Sequence, residues 1–345
     1  MRKVLAIVIF AMLLITMPAF AKEIELTGAG ATFPYPFYSK LFSIYSQKTG
    51  IKINYQAIGS GGGIRQLLNK TVDFGATDAP MSDKELKEAG SPIVHIPTCL
   101  GAIVITYNLP GNPKLKLTGE ILADIFLGKI KKWNDSRIKK INPDIKLPNM
   151  NITVIHRSDG SGSTFILSKF LSKISDEWKK KVGVGKALRW PTGLGGKGNP
   201  GVAGLIRQIP GSLGYVELVY ALQSKMPFAS IKNASGKFIE PSIKSVSASA
   251  QTEIPPDTRV DLTDTKAPDG YPLSSFTWII VYKEQKYNDR TKERAEELVK
   301  LLWWIIHDGQ KYAPELSYSP LSENAIKVAE NIIKSITYEG KPILK

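Results

Sequence analysis

The sequence predicts an α/β protein built on parallel strands. Strand-like runs rich in β-branched and aromatic residues alternate with helix-like runs along the chain. The passage from strand to helix is repeatedly a short stretch of Gly, Ser and Thr: TGAGATF, IGSGGG and RSDGSGSTF. The 345 residues favour two domains over one, and 43% hydrophobic residues supply a core, which excludes general disorder.

Met1-Arg2-Lys3 is a charged start, VLAIVIFAMLLITM a short apolar run, and Pro18-Ala19-Phe20-Ala21 an A-x-A ending. Residues 1–21 therefore read as a secretory signal peptide cleaved near Ala21, with the mature chain starting near Lys22 outside the cytoplasm. No cysteine follows the cleavage point to carry a lipid, and no later run is long and apolar enough to span a bilayer.

EIELTGAGAT is a strand entering a small-residue turn, and PFYSKLFSIYSQKTG a helix with Gly50 as its C-cap. IKINYQAI is a strand, IGSGGG a second turn and GIRQLLNKT a helix. TVDFGATDAP is a short strand ending in Asp78. Ser82 and Glu85 stand in a capping-box spacing that starts a helix at SDKELKEA. IVHIPTCLGAIVITYNL reads as two strands, and LTGEILADIFLGK as a helix closed by Gly128. NITVIHR is a strand, followed by the third turn and the helix STFILSKFLSKI. RWPTGLGGKGNPG is a glycine-rich connection before a short helix, VAGLIRQI, and the strand GSLGYVEL. Residues 233–265 carry Ser, Pro and Thr without a clear period and read as loops and short edge strands. SSFTWIIVYKE is a buried strand, and RTKERAEELVKLLWWIIHDG and ENAIKVAENIIKSI are helices, with Trp303, Trp304, Ile305 and Ile306 as core.

Cys99 stands alone, so no internal disulfide forms. His95, His156 and His307 lie far apart with no metal-ligand spacing, so neither a metal nor a cofactor is expected. The formal charge of +15 favours anionic ligands at long range, and it is equally what a basic proteome produces. Aromatics do not interleave with the lysine runs, so no nucleic acid partner is expected.

A helix N-terminus presents unpaired N–H groups and partial positive charge, and glycine lets an anion approach them. One such turn is common. Three in one chain, one carrying Arg157, point to a small oxyanion. Gly196-Lys197 is followed by Gly198, so it is not an NTPase phosphate loop. Phe33 stands where a dinucleotide turn needs its last glycine. No serine in these turns is flanked as a hydrolase nucleophile, and no histidine is spaced as its base.

TGAGATFPYPFY, NYQAIGSGGG, TVDFGATDAPMSD, HRSDGSGSTF, RWPTGLGGKGNPGVA and GSLGYVE, in that order, resemble the phosphate-binding receptors of bacterial high-affinity phosphate ABC importers. The resemblance runs from about residue 25 to beyond residue 280 and fades around 225–270 and at the C-terminus. It implies a two-domain periplasmic binding protein fold, with the ligand in a cleft between domains joined by crossing strands. The first domain would be 22–106 with 280–345 and the second 107–279, with crossings near 102–108 and 276–282. It implies a monomeric periplasmic receptor, not an enzyme, with inorganic phosphate and an inner-membrane ABC permease as partners. Carried over by motif, the ligand positions are Thr32, Phe33 through its backbone N–H, Ser60 and Asp78 in the first domain. Arg157, Ser161, Gly162 and Ser163 come from the second. Ser163 replaces the threonine usual in this family, and Thr164 follows it; a hydroxyl and an N–H survive that exchange.

An acid in an anion site has a chemical use. Near neutral pH phosphate carries a proton that the Asp78 carboxylate can accept, whereas sulfate carries none and meets repulsion. From the residues alone Asp78, before Ala79-Pro80, reads equally as a turn cap; the resemblance makes it a ligand. Asp159, two residues from Arg157, is expected to position the guanidinium, with an N-cap role as the plainer alternative. His156 points away from Arg157 on an alternating strand and is a packing residue. The remaining readings are a receptor for sulfate, molybdate or tungstate, which Asp78 argues against, and a secreted phosphatase, for which no nucleophile–base pair is placed.

Overall fold

A computed structural model describes residues 24–344, so the signal peptide read at 1–21 lies outside the described residues. β1 (Glu25–Gly30), α1 (Tyr35–Thr49), β2 (Lys52–Ala57), α2 (Ser60–Leu68), β3 (Phe74–Thr77) and α3 (Asp83–Glu88) lead into the long strand β4 (Ile93–Tyr107). There follow β5 (Lys116–Leu117), α4 (Gly119–Phe126), α5 (Ser136–Ile141), β6 (Thr153–Arg157), α6 (Gly162–Ile174) and α7 (Asp176–Lys181). β7 (Leu194–Gly196), α8 (Gly198–Gln208), β8 (Ser212–Glu217) and α9 (Leu218–Gln223) come next. The chain then forms β9 (Ser230–Lys232), β10 (Phe238–Ile239), α10 (Ile243–Ser249), β11 (Ser274–Tyr282), α11 (Lys292–Ile306) and α12 (Glu323–Lys334). β12 (Thr337–Tyr338) and β13 (Lys341–Pro342) pair as a terminal hairpin.

Eight strands share one sheet in the order β2-β1-β3-β11-β4-β8-β6-β7. β1 runs parallel to β2 and β3, and β6 parallel to β7 and β8. The antiparallel steps surround the two central strands, β11 with β3 and β4, and β4 with β8. β4 changes partner along its length: residues 93–102 pair with β11 and residues 103–107 with β8. It therefore belongs to both halves of the sheet. All nine residues of β11 are buried, as expected of a strand covered on both faces.

β4 is one strand where the sequence suggests two. Pro97 and Gly101 look like breakers, but the ladder absorbs the missing Pro97 N–H with a register shift. Thr277 pairs with Cys99 and Trp278 with Pro97, which leaves Thr98 as the extra residue. Gly101 admits the Phe33 ring, which a Cβ there would meet at 2.7 Å. Within 233–265 β10 is a short edge strand as read, pairing with β9 in a small sheet with β5, but the stretch also holds a helix that was not expected: Ser242 caps α10 in a box with Ser245. The connection at 189–201 contains β7 and the first turn of α8, which begins at Gly198 rather than at Val202.

Other local signals act as read. Gly50 ends α1 with φ of 77° and its N–H on Ser46 O, and Ser82 and Glu85 exchange both capping-box bonds. Ile305 and Ile306 are buried core as expected, whereas Trp303 and Trp304 are half-buried at its edge, Trp304 against Tyr45 and Trp303 against His307 with ring centroids 5.4 and 4.5 Å apart. Among the described residues no helix is long and apolar enough to cross a membrane.

Candidate functional site

The turns leaving β1, β2 and β3 meet those leaving β6 and β7. The Gly61 N–H donates to Gly160 O at 2.9 Å, and the Gly162 N–H to Ser60 Oγ at 3.2 Å. The N-termini of α2 and α6 thus face each other across the junction of the half-sheets. α2 starts at Ser60 with no side-chain cap on Gly59, and α6 starts at Gly162 with Ser161 Oγ accepting from Thr164 N at 3.1 Å. Glycine is required at 162 because a Cβ there would lie 2.4 Å from Asp78 Oδ2 and 2.7 Å from Ser60 Oγ.

Ser60, Asp78 and Gly162 form the centre of the cluster. Ser60 Oγ accepts from Asp78 N at 3.2 Å and donates to Asp78 Oδ2 at 3.4 Å. Asp78 Oδ1 accepts from Thr277 Oγ1 at 3.0 Å, reaching across from β11. Ser163 Oγ is buried beside the α6 N-terminus and has no hydrogen-bond partner among the described residues. Phe33 is fully buried, and its carbonyl accepts from Tyr318 OH at 2.6 Å.

Arg157 closes β6, with its backbone N–H on Tyr215 OH at 3.1 Å. Its Nε and Nη2 fork onto Asp159 at 2.8 and 2.6 Å, and the Nη1 amine takes no part in either bond. Asp159 also accepts from Gly198 N at 3.0 Å. The N-cap of α6 is Ser161, so Asp159 is not the cap. His156 stacks on Trp190 with centroids 4.7 Å apart, away from the guanidinium.

Burial pushes the Asp78 carboxyl up to about 7, although Thr277, Arg157 and Ser60 each pull it down. Burial also acts on Asp159, but there the hydrogen bonds from Arg157 win and hold its carboxyl below the usual range. The two acids thus differ in kind. Asp159 is a permanent counter-charge to Arg157, and Asp78 is a titrating acceptor among donors. Two openings reach the cluster. A cavity of about 330 Å³ is lined by Thr32, Tyr35, Asp159, Lys197, Gly198 and Tyr220. A small one of about 40 Å³ is lined by Asp78, Phe165, Lys169, Arg259, Ser274 and Ser275. Among the described residues no group of three His, Cys, Asp or Glu side chains is placed to hold a metal ion.

The model of the PBP superfamily domain matches residues 19–307. The phosphate-binding protein PstS of Xylella fastidiosa is 45% identical over 316 residues, covering 90% of this chain and 85% of that one. That of Haemophilus influenzae is 45% identical over 321 residues, covering 92% and 94%. The chain belongs to the PstS phosphate-binding protein family. Its fold is that of a solved structure described as a high affinity periplasmic phosphate-binding protein (PfluDING) bound with phosphate. That structure has a TM-score of 0.72 at 19% identity and covers 89% of this chain and 93% of that one.

Around the expected residues, this PstS-family site recruits side chains that no motif singled out. Thr277 reaches Asp78 from a strand 199 residues away in sequence, and the antiparallel β3–β11 register, with Trp278 opposite Thr77, brings it there. Asn199, fully buried, donates from its backbone N and its Nδ2 to Thr32 Oγ1 at 3.1 and 3.0 Å. Tyr220 OH donates to Thr32 O at 2.6 Å. The signal for Asn199 was its place after the glycines of GGKGNPG, at the end of a strand-like stretch and the start of a helix.

Proposed function

We propose that this chain is a phosphate receptor. It binds inorganic phosphate between two lobes of one sheet and delivers it, unchanged, to an ABC permease. The observation that carries the reading is a buried, titrating acid, Asp78, set against Ser60 and the α6 N-terminus, with Arg157 near enough to bear on its protonation. A site built for an anion gains nothing from a buried carboxyl unless the anion brings a proton. The relatives' names and the phosphate-bound neighbour support the same ligand.

Thr32, the Phe33 N–H, Ser60 and Asp78 would grip the phosphate from one lobe. Arg157, Ser161, Gly162 and Ser163 would grip it from the other, with Asp159 steadying the arginine. The change of partner in β4 between Ala102 and Ile103, and the start of β11 at Ser274, support a two-lobe division near these crossings. The charged and apolar N-terminal sequence supports export and a periplasmic site of action for a single chain.

A hydrolase reading lacks a histidine base. His95 Nε2 accepts from Met81 N, His156 stacks on Trp190, and His307 pairs with Glu330, so none of the three imidazoles serves these hydroxyls. The test is calorimetric titration at pH 8.5 of protein refolded to strip endogenous ligand. Phosphate is expected to bind tightly and sulfate to give no response. Equal binding of both would remove the role given to Asp78, and turnover of a chromogenic phosphate ester would overturn the receptor reading.

A further inference from the structure

We propose that Asn199 is a positioning residue for the anion: it makes the Thr32 hydroxyl an obligate donor into the cleft and latches the two half-sheets together. The inference rests on the phosphate reading above.

A threonine hydroxyl has two lone pairs and one proton. Both lone pairs of Thr32 Oγ1 are taken by N–H donors of Asn199, one from the backbone and one from Nδ2, at 3.1 and 3.0 Å. The hydroxyl proton has no acceptor on Asn199 and points elsewhere. The amide cannot turn round to offer its oxygen instead, because Asn199 Oδ1 is fixed by the Glu217 N–H at 2.9 Å. Aspartate would fit this space but would present an acceptor to Thr32 and reverse the hydroxyl.

The backbone is shaped to the same end. Gly198 sits at φ of +67°, and a Cβ there would lie 3.2 Å from Thr32 Cγ2. Its own N–H goes to Asp159 Oδ1 at 3.0 Å, and the next N–H, that of Asn199, goes to Thr32 Oγ1. Two consecutive amides therefore join the Arg157–Asp159 pair of one half-sheet to the first turn of the other. Tyr220 OH adds a third bond onto residue 32. An oxygen lying against Thr32 must then be an unprotonated acceptor, while the protonated oxygen is left for Asp78. The site distinguishes the two ends of a protonated tetrahedral anion.

Stopped-flow kinetics and calorimetry with inorganic phosphate test this on Asn199→Ala, Asn199→Asp, Thr32→Val, Thr32→Ser and the Asn199→Ala/Thr32→Val pair. Asn199→Ala is expected to weaken binding by about tenfold through faster release, with the association rate nearly unchanged. Asn199→Asp keeps an acceptor for the Glu217 N–H, and its loss is expected to exceed that of Asn199→Ala. Thr32→Ser keeps the hydroxyl and is expected to lose less than Thr32→Val. In the Thr32→Val background Asn199→Ala adds less than about twofold, because both changes act through one hydroxyl. Unaltered release in Asn199→Ala and Asn199→Asp, or losses that simply add, would overturn the proposal while leaving the phosphate reading intact. Wild-type protein that ignores phosphate would overturn both.

Discussion

Asp78 is where the proposed selection of phosphate comes down to one side chain. With its carboxyl near 7, pushed there by burial, it is an acceptor in alkaline solution and a neutral acid below that pH. Repulsion of sulfate is therefore conditional. Wild type at pH 8.5 is expected to exclude sulfate, and at pH 5.5, where Asp78 can donate, calorimetry should show sulfate binding. Asp78→Asn should lose this pH dependence, and sulfate exclusion that is equally complete at both pH values would refute it. The same shift governs stability. Folded Asp78 keeps a proton that the unfolded chain has already lost between its ordinary value of 3.8 and about 7, so stability falls as pH rises through that window. The full effect is on the order of 4 kcal/mol. Ligand-free Asp78→Asn should therefore gain on wild type in thermal unfolding from pH 4 to 7 and level off above. The acid itself was visible in TVDFGATDAP. Its environment was not, because Thr277, 199 residues later, comes beside it through the pairing of β3 with β11, which no local pattern announces.

At the scale of elements, the site is made by helix N-termini brought face to face. The alternation of strands and helices, the Gly50 cap and the Ser82 box were legible because each depends on residues within one turn of the chain. The continuity of β4 was not, since whether Pro97 breaks a strand depends on the partner's register. α10 was hidden for a related reason, a seven-residue helix lacking an amphipathic period and defined mainly by its Ser242 cap. The close approach of α6 to α2 yields a test in which position matters more than residue type. Gly162→Ala places a methyl group into Asp78 and Ser60 across the junction. It is expected to weaken phosphate binding by about 10- to 100-fold, with a nearly normal unfolding midpoint, since opening relieves the clash. Gly50→Ala, at a left-handed cap with nothing within 4 Å, should do the reverse: a lower midpoint by about 1 kcal/mol of stability and unchanged affinity. Calorimetry and thermal melts on both variants distinguish a junction glycine from a capping glycine.

For the whole molecule, the question is what holds the half-sheets against each other. The backbone bond from Gly61 to Gly160 and the grip of Asn199 and Tyr220 on Thr32 lie at the site itself. Lys186, whose carbonyl accepts from Ser161 N, reaches over to Glu85 of α3, on the far side of the junction, at 2.7 Å. Both side chains are about one-fifth exposed, at 19% and 21%, so the pair is partly shielded from solvent and from salt. Burial alone would raise the Glu85 carboxyl, yet the Lys186 ammonium and the Ser82 cap bonds hold it below the usual range, so the pair persists at neutral pH. A contact of this kind favours whichever state brings the lobes together, and a ligand that binds between them shifts the same equilibrium. Lys186→Met keeps the apolar stem and removes the charge. It is expected to weaken phosphate binding by about two- to fivefold, through faster release, with little change in the ligand-free unfolding midpoint. Raising the salt from 0.05 to about 0.5 M should narrow the gap between variant and wild type. A variant whose release rate matches wild type at low salt would show that closure draws nothing from this pair. A loss far beyond tenfold would mean that Lys186 acts on the anion directly.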